Sequence, residues 1–319
     1  MSKFKVVLTD NIFSDLEKER EMLKAIDAEL VIVPSGEDII PYVKDADAVI
    51  DTYIKITADI VEHMEKCRLV IRNGIGIDTI DVDACTKKGI MVANIPHYCS
   101  DEASTHTMSL MLAVTRKLKV LNKSVCNGRW DVKAAIPVYS LSEKTLGLVG
   151  FGKIPRLVAE KARAFGLNIV SYDPFVSKED MSACFVKKVD LDTLVRESDV
   201  ISLHTPLTDE TRGLFNLEKF EQMKSSAYII NTSRGPVINE KDLAYALEHN
   251  MIAGAGLDLL TNDAVEAESA LLKMDNVIIT PHAAWYSEES TVRRKTQMIE
   301  SVIAVLQGGK PYALCNKID

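Results

Sequence analysis

Three stretches of this chain end an apolar run in a side chain that can do chemistry. In Ile229-Ile230-Asn231-Thr232-Ser233-Arg234-Gly235-Pro236, an arginine beside glycine can offer its planar fork to a carboxylate. In Gly256-Leu257-Asp258 an acid closes the run, and Asp263 follows five residues later. In Thr280-Pro281-His282-Ala283-Ala284-Trp285 a histidine follows Val277–Thr280. A cation that anchors an anionic substrate and a histidine that moves a proton are the parts of acid–base chemistry on a small acid. Taken singly, each has a plainer reading, a salt-bridged surface arginine or a structural histidine.

A fourth stretch, Gly147-Leu148-Val149-Gly150-Phe151-Gly152-Lys153-Ile154-Pro155, lies between an apolar run and a helical pattern that continues to about Ala164. Gly150 allows a tight turn, and Gly152 lets the backbone approach a pyrophosphate seated on the N-terminus of the helix opened by Lys153 and Ile154. Pro155 stands where the third glycine of such a fingerprint normally is, and the first helical turn tolerates it because its missing N–H has no partner there. The next apolar run, Asn168–Tyr172, ends in Asp173, about 20 residues downstream. An acid there accepts hydrogen bonds from ribose hydroxyls and repels a 2′-phosphate, which selects NAD over NADP.

The elements that must position these residues are short apolar strands alternating with helical stretches. Strand patterns fall at 5–10, 30–33, 48–50, 69–71 and 91–93, and again at 145–149, 168–172, 200–203, 228–231, 254–257 and 277–280. Continuous apolar strands of this kind indicate parallel sheets covered on both faces. Between the two sets, 102–121 reads as one long buried helix, ended by Asn127-Gly128, and 288–306 reads as a final amphipathic helix. The chain has 319 residues, room for two domains. Its 38 Lys and Arg against 46 Asp and Glu give a net charge of −8, which argues against a nucleic-acid or anionic-membrane partner. No apolar run approaches the roughly 18 residues of a membrane span, and nothing at Met1–Lys5 reads as a signal peptide, so a cytoplasmic location is expected. The six cysteines show no CxxC or Cys/His metal spacing, so reduced thiols and no metal site are expected.

Together, the Arg72-Asn73-Gly74-Ile75-Gly76-Ile77-Asp78 segment, the Gly150 loop, Leu203-His204-Thr205-Pro206-Leu207-Thr208, Asn231–Gly235 and Pro281–Tyr286 resemble the D-isomer-specific 2-hydroxyacid dehydrogenases over nearly the whole chain. The last of these segments is similar to the C-terminal-binding-protein branch. The resemblance implies an α/β fold of two doubly wound parallel-sheet domains. A dinucleotide-binding Rossmann domain (100–283) would be inserted into a flavodoxin-like substrate domain (1–99 and 284–319). It implies Arg234 as carboxylate anchor, His282 as acid and base, and Asp263, in place of the family's glutamate, as the partner that favours the imidazolium. It further implies cofactor contacts from Thr107, Ile154, Thr205, Pro206, Thr211, Thr232 and Asp258, beside Gly150, Gly152, Lys153 and Asp173. Gly74, Ile75 and Gly76 would present backbone N–H groups to the substrate carboxylate, and Trp285 would wall the pocket. The expected activity is NAD-dependent reduction of a 2-ketoacid by a homodimer. An NAD(H)-sensing corepressor and a short phosphoglycerate dehydrogenase are the alternatives.

Overall fold

The computed structural model describes residues 3–11, 15–261 and 269–318. The chain divides into two compact units, residues 1–98 with 287–319 and residues 99–286.

The first unit is built on β1 (Phe4–Leu8), β2 (Ala28–Ile32), β3 (Ala48–Asp51), β4 (Leu69–Arg72) and β5 (Met91–Ala93). All neighbours are parallel, in the order β2-β1-β3-β4-β5, which is the flavodoxin-like order. Val6, Val7, Val49, Ile50, Val70 and Ile71 are fully buried, as expected of strands covered on both faces. The connecting helices start on polar caps: Thr57 accepts from the Ile60 amide and Asp81 from the Ala84 amide. The last helix, Glu288–Leu306, opens on a Ser287–Ser290 capping box and packs on β4 and on the helix Glu17–Lys24 of this unit. Lys295 there pairs with the buried Glu19 at 3.1 Å.

The second unit carries β6 (Thr145–Val149), β7 (Asn168–Tyr172), β8 (Lys187–Lys188), β9 (Val200–Leu203), β10 (Tyr228–Asn231), β11 (Gly254–Leu257) and β12 (Val277–Ile279). Its order, β12-β11-β10-β9-β6-β7-β8, is the doubly wound nucleotide-binding arrangement with one further strand. Two features depart from the sequence reading. β8 is an edge strand of two lysines, with no apolar signal to reveal it. The expected helix over 102–121 is two helices, Ser100–Thr115 and Leu118–Cys126, parted by Lys117 at φ 50°. The first is buried on most sides, whereas the second has no buried residue. Beyond the turn, the Lys119 ammonium donates to the carbonyls of Met274 and Val277, both at 2.8 Å. With no core face to follow, the second helix is directed by that attachment instead.

All six cysteines are free thiols. Burial pushes Cys67 up to about 12 and Cys85 up to about 11, so both are inert under ordinary conditions.

Candidate active site

The strand order of the second unit reverses between β6 and β9, and the crevice at such a reversal is where open parallel sheets hold ligands. Gly150 leaves β6 at φ 96°, and a Cβ there would stand 2.8 Å from the His204 carbonyl oxygen beyond β9. Only glycine satisfies both demands. At Gly152 a Cβ would meet nothing within 4 Å, so the space over the turn is open. Gly152 caps the helix Lys153–Arg163 with no side-chain cap, leaving its first amides to an anion. Gly147 serves a different helix, Leu191–Glu197, since a Cβ there would lie 2.2 Å from Ser198 Oγ and 2.7 Å from Leu194. Pro155 is simply buried in the first turn.

Asp173 is held in place: its Oδ2 accepts from the Phe151 amide and its Oδ1 from the Phe175 amide, both at 2.8 Å. Each oxygen keeps a lone pair for a ribose hydroxyl. Burial holds His204 neutral, pulling it down to about 3, with Nε2 against Ser202 Oγ at 2.9 Å. Thr205 Oγ1 is buried and finds no hydrogen-bond partner among the described residues. Thr211, by contrast, donates to the Pro206 carbonyl at 2.6 Å and accepts from the Thr208 amide at 2.8 Å, so its hydroxyl closes the loop. An open helix end, a tight glycine and an orphaned hydroxyl at one crevice fit a dinucleotide.

The three neighbouring strands β10, β11 and β12 deliver Arg234, Asp258 and His282 to the same edge of the sheet. Asn231 sets the first turn: its Oδ1 accepts from Ser233 N and Oγ, and its Nδ2 donates to the Arg234 carbonyl at 2.9 Å. The Arg234 guanidinium donates to the Ser233 carbonyl at 2.8 Å. Gly235 must be glycine, because a Cβ would lie 2.0 Å from the Leu260 carbonyl oxygen. Thr232 and Thr107 share a hydrogen bond of 2.8 Å between hydroxyls.

Asp258 is buried, and its carboxylate accepts from Thr280 Oγ1 at 2.6 Å, the Ala283 amide at 2.8 Å and the Ala284 amide at 2.9 Å. Burial alone raises its pKa, but His106, Thr280 and the two amides outweigh burial and lower it, so it stays ionised. Its carbonyl accepts from the His282 amide at 2.8 Å. His282 itself stands at φ 50°, a left-handed conformation that costs a histidine about 1 kcal/mol or more. Trp285 meets Tyr286 edge to face, with centroids 5.5 Å apart.

Gly74, Ile75 and Gly76 belong to the first unit. There Asn94 Nδ2 donates to the Ile75 carbonyl at 2.6 Å and the Ile95 amide to that of Gly74 at 2.9 Å, which fixes the turn. Asp263 lies outside the described residues. Residues that the sequence reading assigned no role are Asn231, Gly147 and His106. The Asn-x-Ser spacing and the third glycine of Gly147–Gly152 were available signals for the first two, and nothing marked His106. Among the described residues no three His, Cys, Asp or Glu side chains gather as metal ligands.

This geometry is that of a doubly wound unit whose crevice fits a dinucleotide, with Arg234, Asp258 and His282 gathered at the strand ends beside it. The profile of the D-isomer specific 2-hydroxyacid dehydrogenase NAD-binding domain matches residues 108–284. The chain is 37% identical over 308 residues to the D-3-phosphoglycerate dehydrogenase of Methanocaldococcus jannaschii, covering 95% of this chain but 58% of that protein. It is also 37% identical over 289 residues to the glyoxylate reductase of Korarchaeum cryptofilum, covering 89% of this chain and 87% of that one. Among solved structures, a D-lactate dehydrogenase from Aquifex aeolicus complexed with NAD and lactic acid superposes with a TM-score of 0.88. It is 31% identical and covers 95% of this chain and 96% of that one. The chain belongs to the D-isomer specific 2-hydroxyacid dehydrogenase family, whose members are oxidoreductases acting on a CH–OH group with NAD.

Proposed function

We propose that this chain is a 2-ketoacid reductase, interconverting a small 2-ketoacid and its D-2-hydroxyacid with NAD(H). The observation that carries this reading is the delivery of Arg234, Asp258 and His282 by three adjacent parallel strands beside the Gly150 crevice. When bound, NAD(H) supplies or accepts the hydride. The first amides of the helix at Lys153 and Ile154 would hold its pyrophosphate and Asp173 its ribose, and Thr205, Pro206, Thr232 and Thr107 would line the rest of its path. Arg234 holds the substrate carboxylate as a two-pronged donor. His282 gives a proton to the carbonyl oxygen in reduction and removes it from the hydroxyl in oxidation. The resemblance assigns the Gly74–Gly76 turn as a further carboxylate donor, Trp285 as a substrate-pocket residue and a homodimer as the assembly.

In this reading Asp263 is the partner of His282. Reduction takes a proton from His282, and a carboxylate beside the ring favours the form that carries it. Asp263→Asn removes that charge at nearly constant size, and kcat/KM for ketoacid reduction is expected to fall about tenfold while NADH affinity holds. An unchanged kcat/KM in the variant would remove Asp263 from the mechanism.

NADH consumption with glyoxylate, hydroxypyruvate, 3-phosphohydroxypyruvate and larger 2-ketoacids tests the activity. Arg234→Lys, which keeps charge but loses the fork, is expected to lower kcat/KM about a hundredfold while NADH affinity holds. The phosphoglycerate dehydrogenase reading draws on the identity to the archaeal enzyme, and the same panel separates it through 3-phosphohydroxypyruvate. The C-terminal-binding-protein branch rests on Pro281–Tyr286 alone.

A further inference from the structure

We propose that His106 is a positioning residue for His282, acting through Thr280 and Asp258. The inference rests on the reading of His282 as the proton donor. His106 lies on the helix Ser100–Thr115, and its Nε2 is 2.9 Å from Thr280 Oγ1 and 3.4 Å from Asp258 Oδ1. A threonine hydroxyl has one hydrogen, and an ionised carboxylate accepts only. The hydroxyl of Thr280 points that hydrogen at Asp258 Oδ1, 2.6 Å away. Its oxygen is therefore the acceptor toward His106, and Nε2 must carry a hydrogen. The chain of donation runs one way, from His106 to Thr280 to Asp258.

Asp258 in turn surrounds His282. Its carbonyl takes the amide of His282, and its two carboxylate oxygens take the amides of Ala283 and Ala284. Those three amides hold the left-handed backbone at φ 50° from which the His282 ring projects. Turning the Asp258 carboxylate releases two of them together. Thr280 Oγ1 is the side-chain donor that fixes its rotation, and His106 Nε2 fixes the direction of that hydroxyl. The adjacent Thr107 meets Thr232 in the loop that leads to Arg234. One turn of helix thus braces the loops of both the acid–base histidine and the carboxylate anchor. The His106 side chain keeps 24% of its surface exposed, so filling the core is not its main task.

The test compares His106→Leu, which removes the donor, with His106→Gln, whose amide can donate from nearly the same place. His106→Leu is expected to lower kcat for ketoacid reduction about tenfold or more, since small misplacements of a reacting group are costly. NADH affinity, read by fluorescence titration, holds, and His106→Gln restores most of the lost rate. Unchanged kcat in His106→Leu, or equal losses in both variants, would overturn the proposal. A second arm needs no turnover: long-range proton–nitrogen NMR of the protein with its 6 histidines labelled. A protonated Nε2 on His106, and His282 ring signals that move in His106→Leu and return in His106→Gln, support it. A bare Nε2, or His282 signals that stay put, overturn it. Should wild type reduce no ketoacid, the functional reading falls, and this arm still decides the positioning role.

Discussion

The five-stranded sheet reverses its order between β1 and β3, and the seven-stranded sheet between β6 and β9. Both reversals open a crevice at the carboxyl ends of strands. In the first unit the crevice is stapled. Asp10, beyond β1, accepts from the amides of Thr52 at 3.0 Å and Tyr53 at 2.8 Å, beyond β3. In the second unit the corresponding donors are left over: the amides behind Gly152 have no side-chain cap, and Thr205 Oγ1 has no partner among the described residues. Topology makes a place for a nucleotide, and unclaimed donors make it a site.

The two sheets differ in the same sense over a buried acid. Asp51 ends β3 and Asp258 follows β11, and both carboxylates are shut away from solvent. Asp258 has four donors and is held below the usual carboxylate range. Burial pushes Asp51 up to about 7, because Thr79 Oγ1 at 2.5 Å and the Arg72 guanidinium at 3.8 Å answer only part of the cost. Its Oδ1 has no partner among the described residues. Burial raises both acids, and the number of donors decides which stays charged.

The largest expected effect tests that second contrast. A carboxyl that titrates at about 7 in the fold and near 3.8 outside it supports the fold fully below pH 3.8. That support is lost as pH rises to about 7, a difference of at most about 4 kcal/mol. Asp51→Asn should therefore gain in urea midpoint relative to wild type as pH rises, with most of the gain present above neutrality. Asp258 runs the other way: its contribution is present above the usual carboxylate range and lost as pH falls through its lowered value. Asp258→Asn should cost about 2 kcal/mol at neutral pH. Parallel pH profiles for the two variants would erase the contrast.

The crevices come next. Gly150→Ala puts a methyl group against the His204 carbonyl in a left-handed backbone. NADH affinity should fall about a hundredfold in a fluorescence titration, with strain of a few kcal/mol as the cause. An unaffected affinity would mean that the glycine turn does not shape the site. The smallest effect is expected from Thr205→Val, which deletes only the orphaned hydroxyl. The thermal midpoint should hold or rise, because a buried unpaired group is removed, while NADH binding weakens about fivefold. A lower midpoint with unchanged binding would assign Thr205 to the fold.

Most of this architecture was legible because parallel strands buried on both faces read as apolar runs. Ile229–Asn231 and Gly254–Leu257 stand in the sequence as they stand in the sheet. The loops after them were marked by an arginine, an aspartate and a histidine at strand ends, each with a plainer reading when taken singly, and only the family resemblance joined them into one candidate site. What escaped was set by partners distant in sequence. Lys187-Lys188 is a strand only because β7 lies beside it. The helix break at Lys117 follows from an absence of core beyond Val114, and apolar residues continue past it. Asp51 ends an apolar run, and only its two incomplete partners reveal it as an anomaly. His106 was one histidine on a long helix until Thr280 and Asp258 gave it a direction.

Asp173 has a consequence for the evolution of cofactor choice. Its carboxylate, the ribose acceptor of the proposed reading, also latches the Phe151 amide, in the middle of the glycine loop. A lineage that exchanged it for a small neutral residue to admit a 2′-phosphate would unlatch the loop that receives the pyrophosphate. Relaxed selectivity and weakened grip are thus inherited together. A path toward the phosphorylated cofactor has to install a new acceptor for that amide first, and only then add a cation.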